Sequence, residues 1–468
     1  MAKVVSVEEA VNSSVIKPGS RIYASGNAAT PQVLMKRLAD DESIRDVDLY
    51  GVLFLGEEKV MSHVFSEEVC ERVTYRIIFN SGLTREAVNS GRAKYQLWHL
   101  SEIPRNMRRH VKPNVVFLQV SGPDNGGNFS LGTTVEGVLA AVQTAKETGG
   151  VVIAERNKRM PFVLGTAIRE DMIDYIVETD YELPLTPVSP PDDKSRRIGE
   201  IIAGLCVEDG STLQFGIGAV PEAVADAIIK KGVKDLGIHT ELFADAMRKL
   251  VEKGVVTNKK GRRKGKNFSV SSIFLADSEE GYAWLHLNSA IQSRPSNYTN
   301  SILTIAQQPK LVSINSAIGV DLHGNIWADS LKSREIYSGV GGQSDFIRGS
   351  VYSEGGIAVI AIKSTTREGI SKIVDMCPAG ITTTGIAADT VVLVTENGAF
   401  CPFGLSIGEK AVGIAHLAEP GARERILKSI FDNPAFHDPR GAAGQGNPRG
   451  FIPYERAIKG ERPDYCAF

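Results

Sequence analysis

The stretch "GIGAVPEAVADAIIKK", residues 216–231, follows the β-rich run "STLQF" and precedes a second apolar strand, "DLGIH". A strand, a glycine turn, an amphipathic helix and another strand form the repeating unit of open, largely parallel α/β sheets, and this order sets the fold class. Two readings of the turn compete. A strand, G-x-G, a helix and an acidic residue roughly 20 residues later is the grammar of a dinucleotide site, and Gly216, Gly218 and Glu241 match most of it. Pro221 stands where that fingerprint wants a third glycine for close helix–strand packing, whereas proline in a first helical turn is an ordinary start signal. The expectation is a tight strand-to-helix turn with a ligand nearby.

The chain carries the pattern twice. "GNAATPQVLMKRLADD" begins at Gly26, and in both copies a proline sits five residues after the first glycine. Outward from each copy, "EEAVNSSVI", "GSRIYASGNAATP", "QVLMKRLADD" and "VDLYGV" match "RRIGEIIAGLCV", "STLQFGIG", "PEAVADAIIKKG" and "DLGIHTE" by type. The chain therefore reads as a tandem of two related open α/β domains with largely parallel sheets. "ELPLTPVSPPDDKSRR", residues 182–197, holds four prolines and is the linker candidate, which gives domains 1–188 and 189–468. In the second, "KNFSVSSIFLAD", "GYAWLHL" and "PKLVSINSAIGVDLHGNIWADS" predict an added antiparallel section around the "DLHGN" turn. The last 36 residues, rich in Gly, Pro and charge, predict an irregular extension.

Bulk properties exclude several function classes. The 468 residues are 42% hydrophobic and 23% charged with a net charge of -2, which is ordinary for a soluble globular protein and unlike a nucleic-acid binder. The start lacks an apolar run behind a basic stretch and no window of about 18 apolar residues occurs, so a cytoplasmic protein is expected. Cys70, Cys206, Cys377, Cys401 and Cys466 are widely spaced and odd in number, which argues against a disulfide framework and a zinc site. Eight scattered histidines without ligand spacing predict no metal.

Four further segments bear on chemistry. "DLGIHTELFADAM" puts Glu241 directly after a buried parallel strand, where open α/β sheets place their sites. "SGVGGQSDFIRG", residues 338–349, packs three glycines around a Gln and an Asp, and glycines let backbone N–H groups approach a ligand oxygen. "GLSIG", residues 404–408, matches a serine-hydrolase elbow with Asp432 and His437 downstream, but "NGAFCPFG" separates it from a strand, so it reads as a turn before a helix. The basic run "TNKKGRRKGKNF", residues 257–268, reads as a solvated hairpin tip, or as a contact for the phosphates of a nucleotide.

From "SGNAATPQVL" through "LQFGIGAVPEAV", "LGIHTELF", "INSAIGVDLHGNIWADS", "SGVGGQSDFIRG" and "VVLVTENGAF", the chain resembles the acetyl-CoA hydrolase/transferase family. The H-T-E after a strand and the G-x-G-G-Q-x-D-F are the specific motifs. Two departures are visible: Ala246 stands where many relatives carry a glycine, and "CPFGLSIGEKA" replaces an arginine-glycine step after "VTENGAF".

The resemblance implies transfer of CoA between short-chain acids such as acetate, butyrate and 4-hydroxybutyrate. It implies a ping-pong mechanism through a glutamyl-CoA thioester on Glu241, with no cofactor beyond CoA as substrate and with a homo-oligomer as the working unit. By the same pattern Asn315 offers an amide to an acyl oxygen and Gly341 and Gly342 supply backbone N–H groups. Gln214, Gly216, Gly218, Gln343 and Glu396 belong to the substrate and CoA side. The first domain, around Gly26 and Asn27, is expected to choose the acid. Hydrolysis of acyl-CoA on the same scaffold, or CoA binding without catalysis, are the alternatives left open.

Overall fold

The two glycine turns fold alike and then diverge. The structure is a computed structural model and describes residues 2–261, 267–333, 335–436 and 448–466. In each copy a short buried strand, Arg21–Ala24 or Thr212–Phe215, leads through the turn into a helix, Gln32–Asp40 or Ala219–Lys231. The next strand, Val47–Val52 or Gly237–Ile238, returns parallel beside the first. At Gly26 a Cβ would lie 1.7 Å from the Val52 carbonyl oxygen, so that glycine serves backbone-to-backbone packing. At Gly216 and Gly218 a Cβ would meet nothing within 4 Å, and Gly218 has φ +121, so the second turn opens on empty space.

Eight strands form the first sheet, all parallel. Their order is Lys3–Val4, Tyr175–Thr179, Val151–Asn157, Val115–Val120, Arg21–Ala24, Val47–Val52, Val73–Phe79 and Lys94–Tyr95. Within one strand Val116 and Leu118 pack into one core while Val115 and Phe117 pack into another, so the sheet is buried on both faces. The second sheet runs Gly237–Ile238, Thr212–Phe215, Leu311–Ser316, Ile357–Ala361 and Val392–Thr395 in parallel, then Gly398–Phe400 and Phe451–Pro453 antiparallel at one edge. One apolar core includes Tyr23 and Val116 of the first sheet and Leu213 and Val312 of the second, and so crosses the domain junction.

Chain order reverses between Thr212–Phe215 and Leu311–Ser316, because the strand after Thr212–Phe215 lies on one side of it and Leu311–Ser316 on the other. Outside the C-terminal ends of two such strands their connections part and leave a crevice. The proline-rich segment 180–192 has no regular structure. Asp192 then accepts the Ser195 N–H at 2.9 Å and caps the helix Asp193–Cys206.

Several expectations change. "GYAWLHL" is no strand: Ser278 caps the helix Glu279–Leu285, which buries Gly281, Tyr282 and Leu285 at helical spacing. "KNFSVSSIFLAD" divides into Ser269–Ser271 and Ile273–Phe274, and both pair in parallel, with Ile291–Ser293 and Leu242–Phe243. The "DLHGN" turn does form an antiparallel hairpin, Gly319–Asp321 with Ile326–Trp327, built on the Asp321 carboxylate accepting from the His323 and Asn325 N–H groups.

The C-terminal extension is ordered where described. Phe451–Pro453 completes the sheet edge, and a disulfide joins Cys466 to Cys401, with Cα atoms 6.1 Å apart. Those cysteines are 65 residues apart, and only the return of the tail to the sheet edge brings them together. Residues 437–447 of the extension lie outside the described residues.

Candidate active site

Glu241 extends from the end of the strand Gly237–Ile238 into the crevice. Its own carbonyl oxygen accepts the N–H groups of Ser272 and Ile273 at 3.1 and 2.9 Å and the Ser271 hydroxyl at 2.9 Å, which pins the backbone and leaves the side chain to aim. The first domain braces that support from behind, since Val135 N–H donates to Ser272 and Phe274 N–H donates to Thr133.

The Glu241 carboxylate meets two donors. Asn300 Nδ2 donates to Oε2 at 2.7 Å, and the Gly342 backbone N–H lies beside the same carboxylate. Gly342 opens the helix Gln343–Val351, which has no side-chain cap, so its first N–H groups and the positive end of its dipole lie beside the carboxylate. A Cβ on Gly342 would fall 1.9 Å from Glu241 Oε2 and 2.0 Å from Asn300 Nδ2, and one on Gly341 would fall 3.8 Å from Oε1. Gly341 also has φ +60. Glycine is required here by approach and by conformation together.

Burial pushes the Glu241 carboxyl up to about 7; the Asn300 amide opposes the rise, the nearby Asp345 charge adds to it, and the Gly342 N–H opposes it again. Asp345 is also raised, chiefly by burial, and its oxygens accept the Ser101 hydroxyl at 2.7 Å and the Ser101 N–H at 3.2 Å. Leu100 N–H donates to the Gly341 carbonyl at 3.0 Å. Asn80 N–H donates to Ser338 at 3.3 Å, and Arg85 donates to the Tyr337 carbonyl at 2.8 Å. The glycine turn of the second domain is thus held by the first.

The resulting cavity, about 630 Å³, is lined by Glu241, the 214–221 turn, Asn315 and Gly341–Gln343 from the second domain. Leu53, Leu55 and Phe79 line it from the first. Gln214 and Asn315 exchange hydrogen bonds across neighbouring strands, Nε2 to Oδ1 at 3.3 Å and Nδ2 to Oε1 at 3.2 Å. Gln343 donates to the Ser316 carbonyl at 2.9 Å and keeps a buried Oε1 without a partner. Gly26 and Asn27 do not line the cavity: Asn27 is fully buried and hands the wall to Leu53, whose carbonyl accepts its N–H. A larger groove of about 1100 Å³ elsewhere, between 121–125, 158–162 and 279–287, contains none of these groups.

Glu396 lies apart from Glu241. It follows the strand Val392–Thr395, four strands across the sheet, and its carboxylate accepts the Ser364 N–H at 2.9 Å and hydroxyl at 2.6 Å and pairs with Lys194 at 3.0 Å. Burial raises its carboxyl, but those partners outweigh burial and hold it below the ordinary value.

The basic run starts at the opposite end of the sheet, where Thr257 and Asn258 N–H groups donate to Leu236, ahead of the strand that ends near Glu241; residues 262–266 lie outside the described residues. Ser406 of "GLSIG" is engaged in a reciprocal cap with Glu409, and His437 lies outside the described residues. Among the described residues no group of three or more His, Cys, Asp or Glu could hold a metal ion, and no helix is long and apolar enough to cross a membrane.

Sequence reasoning missed Asn300 and the pairing of Asp345 with Ser101. Asp345 was visible within "GGQSDF", but Asn300 sits in the unremarkable "SNYTNS", 59 residues from Glu241, and carries no local signal.

Comparison with known proteins gives the family. The family model for the acetyl-CoA hydrolase/transferase N-terminal domain matches residues 1–188 and that for the C-terminal domain matches 278–430. The 4-hydroxybutyrate coenzyme A transferase of Clostridium kluyveri is 35% identical, over 92% of this chain and 97% of that protein. The butyryl-CoA:acetate CoA-transferase of Anaerostipes caccae is 29% identical over 91% and 95%. The crystal structure of RipA from Yersinia pestis superposes with a TM-score of 0.82 at 31% identity, covering 92% of this chain and 97% of that one. With both halves matched and relatives aligned nearly end to end, the chain belongs to the acetyl-CoA hydrolase/transferase family.

Proposed function

We propose that the protein is an acyl-CoA:carboxylate CoA-transferase with Glu241 as its covalent nucleophile. The observation that carries this reading is the Glu241 carboxylate held beside Asn300 Nδ2 and the Gly342 N–H in a cavity shared by both domains. A carboxylate is a weak nucleophile, and partial desolvation with fixed donors beside the reacting carbon answers that weakness.

A Glu241 oxygen attacks the thioester carbonyl, the C–S bond breaks, and CoA leaves as thiolate from an acyl-glutamyl anhydride. The thiolate then attacks the glutamyl carbonyl, the bond from the glutamyl carbon to the bridging oxygen breaks, and the acyl group departs with that oxygen as the carboxylate product. CoA remains as a thioester on Glu241. A second carboxylate runs these steps in reverse. In the first half-reaction the charge of Glu241 leaves with the product carboxylate, in the second the incoming carboxylate restores it, and no proton moves, so the cycle needs no group beyond CoA itself. Oxyanions form beside Gly341 and Gly342, and the Gln214–Asn315 amide pair faces the acyl oxygen from the same cavity.

Leu53, Leu55 and Phe79 give an apolar wall that suits a short acyl chain such as butyryl, 4-hydroxybutyryl or acetyl. The names of the relatives agree with that class. The test is incubation with butyryl-CoA and acetate. Acetyl-CoA should form at the rate butyrate appears, total thioester should stay constant, and double-reciprocal plots should be parallel. Thioester loss at a rate indifferent to acetate would make the protein a hydrolase.

A further inference from the structure

Asp345 is the third residue of the helix Gln343–Val351, whose uncapped start lies against Glu241. An acidic side chain in a first turn suits the helix dipole. Here both of its oxygens are taken by the first domain: Oδ1 accepts the Ser101 hydroxyl at 2.7 Å and Oδ2 the Ser101 N–H at 3.2 Å. The neighbouring Leu100 N–H donates to the Gly341 carbonyl at 3.0 Å. Two consecutive residues of the first domain thus hold the glycine turn at its carbonyl and at a side chain one helical turn on. Ser101 and Asp345 are 244 positions apart in sequence, so the contact exists only while the domains are docked.

The same carboxylate faces the groups around the nucleophile. Thr299 Oγ1 donates to Asn300 Oδ1 at 2.8 Å, which turns the Asn300 amino group to its acceptors, and Nδ2 donates to Glu241 Oε2 at 2.7 Å. The Asn300 amide also lowers the Asp345 carboxyl, so it lies near both acids. Two further titratable groups face the pair. The His99 charge lowers the Asp345 carboxyl, and Glu136 of the first domain, which feels the Glu241 charge, is raised by burial to about 8. Glu136 is therefore neutral where Glu241 ionises. Ser101, His99 and Asn300 all oppose the rise that burial gives Asp345, and the Asp345 charge in turn raises the Glu241 carboxyl.

We infer that Asp345 is a positioning residue for the proposed transfer: clamped by Ser101 of the first domain, it sets the Gly341–Gly342 turn and the Asn300 amide against Glu241, so the site is complete only while the two domains are docked. The inference rests on the reading of Glu241 as the nucleophile. Two carboxylates close together in a buried site repel, and an asparagine of the same size would avoid that repulsion. The charge contributes two things in return: charge-assisted bonds from Ser101, and a Glu241 carboxylate that is more basic when it attacks.

The experiment follows, by quenched peptide mass, the rate at which butyryl-CoA loads CoA onto the peptide carrying Glu241, as a function of pH, in the wild type and three variants. Asp345→Asn should load about tenfold more slowly at its plateau. Its half-maximal rate should come at a lower pH than in the wild type, because the charge that raises Glu241 is gone and the deprotonated form appears sooner. Ser101→Ala should lose about fivefold, as expected for one hydrogen bond, and Ser101→Thr, which keeps the hydroxyl, should recover most of that loss. An Asp345→Asn protein that loads at the wild-type rate overturns the assignment. So does one that is slowed with its pH midpoint in place, since that marks a merely structural side chain. Where Asp345→Asn fails to fold, the serine variants decide: Ser101→Ala at the wild-type rate, or Ser101→Thr as slow as Ser101→Ala, overturns it. A wild-type protein that forms no adduct on Glu241 refutes the transfer reading and this inference with it, whereas a wild-type adduct with unaffected variants refutes this inference alone.

Discussion

As the proposed nucleophile, Glu241 combines two opposing needs: it must be ionised to attack a thioester, and it must be desolvated enough to be reactive. A carboxyl raised to about 7 is part ionised near neutrality, and its carboxylate is more basic than an exposed one. Because attack requires the deprotonated form, kcat/KM for acyl-CoA should climb about tenfold per pH unit below about 7 and level off above it, measured between pH 5 and 9. The same raised value has a stability consequence. A proton on Glu241 favours the fold, so its contribution is present below the ordinary 4.5 and is lost as pH rises through about 7. The difference is worth up to about 3 kcal/mol. Glu241→Gln, neutral at every pH, should therefore be more stable than the wild type at pH 8 by up to about 3 kcal/mol in urea denaturation, with the gap closing toward pH 4.5.

The turn into the helix Gln343–Val351 is the element on which the chemistry depends, since it brings an uncapped helix start against the carboxylate. Gly342→Ala drives a methyl group into the space shared by Glu241 Oε2 and Asn300 Nδ2. We expect kcat to fall a hundredfold or more while CoA still binds, as read by steady-state kinetics beside calorimetry. This element was legible because three glycines around Gln343 and Asp345 have few other uses. The strand-turn-helix at 216–231 was legible by its periodicity, but the two copies of that turn look alike in sequence and differ in purpose: Gly26 abuts Val52 and Gly216 faces the cavity. Only the partner across the turn separates them, and that partner is remote in sequence. Asn300 and Ser101 were invisible for the same reason, because each acquires its role from a residue 59 or 244 positions away.

At the scale of the molecule, the site is a joint product of two domains. The second supplies Glu241 and the donors beside it, and the first supplies the apolar wall at Leu53 and Leu55 and the clamps of Asn80, Arg85 and Ser101 on the glycine turn. The parallel α/β character followed from alternating strands and helices, which are local patterns. The antiparallel edge at Phe451–Pro453 and the Cys401–Cys466 link did not, because both depend on the tail returning to a strand about 50 residues earlier in the chain.

The central claim is that CoA rides on Glu241, and the direct measurement is the peptide mass of the protein after incubation with butyryl-CoA and no acceptor. A CoA-sized increase on the peptide that carries Glu241, discharged by acetate and absent in Glu241→Gln, is the predicted result. Steady release of free CoA with no adduct on that peptide would contradict it.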